Sequence, residues 1–217
     1  MILNNKTKRI IVYIVGLFIL ALGLTLNTKA SLGVSPIISV PYSISQITGL
    51  NFGDLTLIEY ALFVFVEIMI HLSEKNKKKI VADLLQLPLS LVFTRLLNIF
   101  SACIPTSSIF LVQLLILVLA IICTGIGAAM SLSMQLVPNP GDGIVQALAG
   151  KVNKSVGLTK NMFDCLSVCI TLCISLIFAH TILGIGIGTV IAVLGVGRVI
   201  ALFHHMFESQ IIELVQG

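Results

Sequence analysis

Glu59, Glu67, Arg95, Asp164 and Arg198 lie inside stretches of sequence that are otherwise almost wholly apolar. A charge at the middle of a membrane helix costs about 2.5–3.5 kcal/mol on insertion scales, against about 0.3–0.6 gained per Leu, Ile, Phe or Val. Such groups need partners or protons, and they mark functional sites by default. The chemistry open to them is ion pairing, proton exchange or coordination of a polar solute. In an antiparallel hairpin, residues equally far from the turn share a depth. Around Lys77, in "EKNKKK", Glu59 is level with Arg95 and His71 with Asp83, while Glu67 is level with Gln86 to within one residue. Around Thr181, Asp164 is level with Arg198. Two intramembrane pairs are therefore expected, Glu59–Arg95 and Asp164–Arg198. They would be either gates that open alternately around a central site or static ties within each hairpin. Glu67 is expected to be a protonated carboxyl bonded to Gln86, or a proton-coupling site.

A second group is defined by backbone chemistry. "PNPGDG", Pro138 to Gly143, interrupts apolar sequence with two prolines and two glycines. Asn139 before Pro140 reads as an N-cap followed by proline at the first helical position, and Ser35 before Pro36 reads the same way. A helix start carries free N–H groups and a positive dipole end, which suits an anionic or strongly polar solute. Ser35, Pro36, Asn139, Pro140, Gly141, Asp142 and Gly143 are thus the expected substrate-binding residues. Asp142 has three readings: it caps the helix itself, binds a cation, or carries a proton.

The elements that must position these residues are membrane helices. Hydrophobic residues make up 57% of the chain, charged residues 10%, and the mean hydropathy is +1.11, which excludes an ordinary soluble domain. Apolar runs of spanning length fall at about Ile10–Thr28, Gly53–Leu72, Ile80–Phe100, Ile109–Gln135, Thr159–His180 and Ile182–His204. With the N-terminus inside, the inner segments hold Lys6, Lys8, Arg9, Lys75, Lys77, Lys78, Lys79, Lys151, Lys154 and Lys160, and the outer ones only Lys29. This bias places both termini in the cytoplasm. "NTKA" before Ser31 is a poor cleavage site, so the first run is read as a retained span. The basic residues lack interleaved aromatics, so nucleic acid is not an expected partner.

Shifting the chain by 104 residues lays Gly23 on Gly127, Leu32 on Leu136, Pro36 on Pro140 and Gly53 on Gly157 without a gap. It also lays the first three spans on the last three. Residues 1–104 and 105–217 therefore read as two repeats of one membrane domain. An odd number of spans in each repeat makes their topologies inverted, an architecture that recurs in secondary transporters. The residues after each broken loop, "IISVPYSISQI" and "IVQALAGKV", are too short to span and read as a short re-entrant or interfacial helix.

Cys165, Cys169 and Cys173 recur at helical spacing and read as packing positions; no metal site is expected. No phosphate-binding loop, nucleophile elbow or zinc motif is present, so no cofactor and no enzymatic activity are expected. The segments "LGVSP…SISQITGLNFG" (Leu32 to Gly53) and "PNPGDG…VGL" (Pro138 to Leu158) resemble those of the bacterial YczE/YyaS/YitT group of small membrane proteins. That resemblance implies a bacterial cytoplasmic membrane and brings no substrate with it.

The expectation is an all-α membrane protein of six transmembrane helices, built as two inverted three-helix repeats with a short broken helix after the first span of each. Its expected function is small-solute transport, with the site between the two broken loops. The alternative is a non-transporting scaffold or regulator of a partner protein. Expected partners are the lipid bilayer, a small polar or anionic solute, and a second copy in a homodimer.

Overall fold

Apolar runs of spanning length become long helices because the backbone can satisfy its own hydrogen bonds in lipid only by coiling. The computed structural model describes residues 4–216. Among the described residues there are eight α-helices and no strands: α1 (Asn5–Lys29), α2 (Ser39–Thr48), α3 (Phe52–Ser73), α4 (Lys77–Cys103), α5 (Phe110–Ser133), α6 (Pro140–Val152), α7 (Val156–Ala179) and α8 (Ile187–Gln216). All but α2 and α6 are long and apolar enough to cross a bilayer, and the chain is a multi-pass membrane protein. The element order runs long, short, long, long, and then repeats that pattern. The last span starts later than the apolar run suggests. Gly184 turns the backbone at φ +77°, and α8 begins only at Ile187.

The helices form two compact units. One holds α1, α5, α8 and the end of α4 from Ile99. The other holds α2, α3, α4 up to Asn98, α6, α7 and the turn before α2. Both units draw on residues 1–104 and on residues 105–217, so compactness does not follow the sequence halves.

In the first unit, α1 and α5 meet through small residues. A methyl group at Gly23 would strike the Thr124 backbone, one at Gly127 would strike the Leu20 backbone, and one at Gly16 would lie 2.9 Å from Met130 Cβ. Lipid tails are as apolar as leucine, so membrane helices associate through such close packing rather than through hydrophobic exclusion. Gly23 and Gly127, matched by the sequence shift, therefore lie at one helix crossing. Ala30, Leu117, Ile121 and Ala192 form the core that joins these helices to α8. At the end of α5, Arg9 donates through Nε to the Met134 carbonyl (2.6 Å) and through Nη2 to the Gln135 carbonyl (3.3 Å). A cation is thus fixed at the negative end of the helix. At the start of α8, Gly188 N–H donates to the Leu32 carbonyl at 2.7 Å.

The first broken loop differs from the expected cap. Pro36–Ile38 is a 3-10 turn, and α2 starts only at Ser39. Ser35 does not cap a helix; its own N–H donates to the Asn27 side chain. The cause is Pro41. A proline ring inside an α-helix clashes with the carbonyl four residues back, here that of Ile37. Starting α2 at Ser39 leaves Pro41 in the first turn, where a missing N–H does no harm. The Gly53–Gly157 match does not carry over to packing either. Gly53 N–H bonds the Asn98 side chain at 3.1 Å, whereas Gly157 faces open space.

Candidate functional site

The second unit concentrates the buried polar residues. On α3, Thr56, Tyr60, Glu67 and His71 are buried along one face, while Ile58, Leu62, Phe65 and Met69 are exposed on another. The pattern inverts that of a soluble helix: the apolar stripe meets lipid and the polar stripe meets protein. On α4, Asp83, Gln86, Ser90 and Thr94 are buried to match. Hairpin register then brings partners together. His71 Nδ1 bonds Asp83 Oδ2 at 2.6 Å, and Gln86 Nε2 donates to Glu67 Oε2 at 2.7 Å. Tyr60 and Phe93 stack with ring centres 6.2 Å apart.

Glu59 and Arg95 do not pair. Arg95 is exposed and binds Asp54 at 2.8 Å. Depth is set by the hairpin, but direction turns by about 100° per residue in a helix of 3.6 residues per turn. Glu59 lies one such step from the inward-facing Tyr60, and Arg95 one step from the inward-facing Thr94. Glu59 Oε2 is buried without a hydrogen-bond partner among the described residues. Asp164 likewise binds Lys160, four residues earlier on α7, at 3.5 Å. Arg198 is exposed and belongs to the other unit.

"PNPGDG" acquires a role at nearly every position. Asn139 caps α6, its side chain accepting from Gly141 N–H at 3.1 Å, and Pro140 opens the helix. A Cβ at Gly141 would lie 2.9 Å from Ile37 Cγ1, so the turn Pro36–Ile38 packs against the start of α6. A Cβ at Gly143 would lie 2.7 Å from Glu67 Oε2, so the Glu67–Gln86 pair rests on the first turn of α6. The Asn139 side chain also meets the buried Tyr60 hydroxyl. Asp142 is half-buried, with Lys160 and Asp164 of α7 close enough to act on it. Burial raises the affinity of its carboxyl for a proton above the ordinary range; the Lys160 ammonium opposes the rise and Asp164 adds to it.

One seam escaped the sequence reading. Ser39 shares a 2.7 Å hydrogen bond with Thr171, and Ser43 shares a 2.8 Å bond with Ser175, tying α2 to α7. Both pairs of hydroxyls are spaced by four residues, which was the available signal. Cys165, Cys169 and Cys173, expected at packing positions, are instead exposed on α7. The hydroxyls occupy the inner face and leave the thiols outside. Among the described residues no cluster of side chains could hold a metal ion.

A family model described as a family of unknown function (DUF6198) matches residues 7–205. The chain belongs to the DUF6198 family. The match includes both break segments and every candidate site residue, but it provides no link to the YczE/YyaS/YitT group. No curated protein and no solved structure matches the chain.

Two cavities flank the polar seam of this DUF6198 protein. One, of about 400 Å³, is lined by Glu67, His71, Lys79, Asp83, Gly143 and Gln146 among others. Glu67 also meets the Asp83 carboxyl, and Gln86 Oε1, buried behind Glu67, has no hydrogen-bond partner among the described residues. The second, also about 400 Å³, is apolar apart from Glu59 and Ser167. The α6 start is thus already met by the protein's own Asp142 and Glu67. A helix terminus so occupied has little left to offer an anion, whereas an unpaired acceptor oxygen suits a donor.

Proposed function

We propose that this DUF6198 chain is a small-solute transporter rather than an enzyme, and that its solute binds where the two broken segments meet Glu67 and Gln86. The observation that carries the proposal is the cavity at the α6 helix start, walled by Glu67 and Asp83, with the buried Gln86 Oε1 left without a hydrogen-bond partner among the described residues. An unpaired buried acceptor costs about 1–3 kcal/mol, more if charged. A cavity that keeps such an acceptor beside the acids Glu67 and Asp83, with Lys79 also in its wall, favours a polar solute bearing N–H groups. Gly141 and Gly143 support this role, because they let the turn and the carboxyl approach the helix start closely. The proposed topology follows the lysine bias: both termini and the Lys75–Lys79 loop face the cytoplasm of a bacterial cell.

The test is electrophysiology of proteoliposomes on a solid support, with a panel of small amines, amino acids and amides. Wild-type protein should give a transient current with at least one class. Glu67→Gln should abolish that current without changing the gel-filtration profile. No current from any member, together with stable co-purification of another protein, would favour the scaffold reading.

A further inference from the structure

The apolar cavity beside Glu59 is a different object from the polar one. Its walls come from α2, α3, α6 and α7, and its volume of about 400 Å³ falls within the roughly 300–1,000 Å³ of small-molecule pockets. It opens toward lipid: Ile58 is 58% exposed, Leu62 60% and Leu166 55%. A simple groove between membrane helices would be lined by hydrocarbon alone and filled by an acyl chain. This one has a carboxyl in its wall. Glu59 Oε2 is buried and accepts no hydrogen bond among the described residues, and the arginine level with it is committed to Asp54. Lys160, the cation of α7, is held by Asp164. Tyr60, the ionisable neighbour on which the Glu59 charge acts, brings no positive charge. An apolar chamber, an uncompensated acid and an entrance from the bilayer together specify one kind of occupant.

We infer that the groove lined by Ile44, Leu62, Phe63, Leu148 and Phe163 binds a hydrophobic organic cation that enters from the lipid and pairs with Glu59. Apolar walls take the body of the molecule, and the carboxylate takes its charge in a medium where attraction is little screened. Neutral hydrophobes of the same shape lack the second contribution. This binding does not depend on the transport reading, since the groove and the Glu67 cavity are lined by different residues.

Direct binding tests the inference. Purified full-length protein in detergent is titrated with radiolabelled tetraphenylphosphonium by equilibrium dialysis. Saturable binding is expected at one site per chain. Removing one partner of a desolvated charge pair costs about 2 kcal/mol or more, so Glu59→Gln should weaken binding by about thirtyfold or more. Leu148→Trp, which fills the groove with apolar bulk, should abolish it. Neutral triphenylphosphine oxide should compete poorly. Equal binding by wild type and Glu59→Gln, or equal competition by the neutral compound, would overturn the inference and leave the groove to lipid tails. If Glu59→Gln fails to fold, the competition with wild-type protein still decides. Loss of solute currents with tetraphenylphosphonium binding intact would count against the transporter alone.

Discussion

At the residue scale, the deciding feature is how each buried acid is answered. Glu67 is pressed against Gly143, so Gly143→Ala must displace either the carboxyl or the helix. Overpacking of this kind costs about 1–3 kcal/mol. A lower midpoint in a detergent thermal-unfolding assay is the expected result. Asp142 makes a prediction of opposite sign. Its carboxyl binds a proton more tightly in the folded protein than in the unfolded chain. Its contribution to stability is therefore present at low pH and lost as pH rises above the ordinary carboxylate range. Asp142→Asn removes that loss, so the variant should gain on wild type in melting temperature as pH is raised from 5 to 8. A gain that is constant across pH would rule out titration of Asp142 as its cause.

At the element scale, the α2–α7 seam and the α1–α5 crossing hold helices by different means. Interhelical hydrogen bonds in membranes average only about 0.6 kcal/mol, because the unfolded state in lipid finds other partners. Ser43→Ala should therefore be nearly silent in thermal unfolding. Gly23→Leu should not be, since its side chain would have to occupy the space of the Thr124 backbone. Loss of the monodisperse gel-filtration peak is the expected outcome. The spans and the level pairs of the α3–α4 hairpin were legible in sequence because length and register are one-dimensional properties. Glu67 met Gln86 and His71 met Asp83 for that reason. Rotation about the helix axis is not legible, and so depth alone pairs Arg95 with Glu59 although it binds Asp54. The 3-10 turn at Pro36 was also missed. Its cause, Pro41, stands five residues away and acts backward on Ile37.

At the scale of the whole molecule, the two compact units could not be read from sequence, because each combines segments from both halves. The distribution of polar residues between them was equally hidden. All the buried acids discussed above lie in one unit, while the crossing of α1 and α5 relies on glycines. Topology has a direct test that needs no substitution. Cys103 ends α4, while the other four cysteines lie within α5 and α7. With the proposed orientation, a membrane-impermeant maleimide should label Cys103 in intact cells. Labelling only after lysis would reverse the orientation.

The local pairings also bear on how the chain enters the membrane. Glu67 and Gln86, His71 and Asp83, and Lys160 and Asp164 are each joined within a single hairpin or a single helix. During synthesis the α3–α4 hairpin leaves the ribosome well before α6 exists. At about 5–20 residues per second, the gap between Glu67 and Gly143 amounts to several seconds. For that interval Glu67 has Gln86 for company but not the helix start that later receives it. A hairpin that neutralises its own polar groups can leave the insertion machinery without waiting. Gln86→Leu is thus a lesion of biogenesis as much as of the finished protein, exposing an unshielded acid to lipid at the moment of insertion.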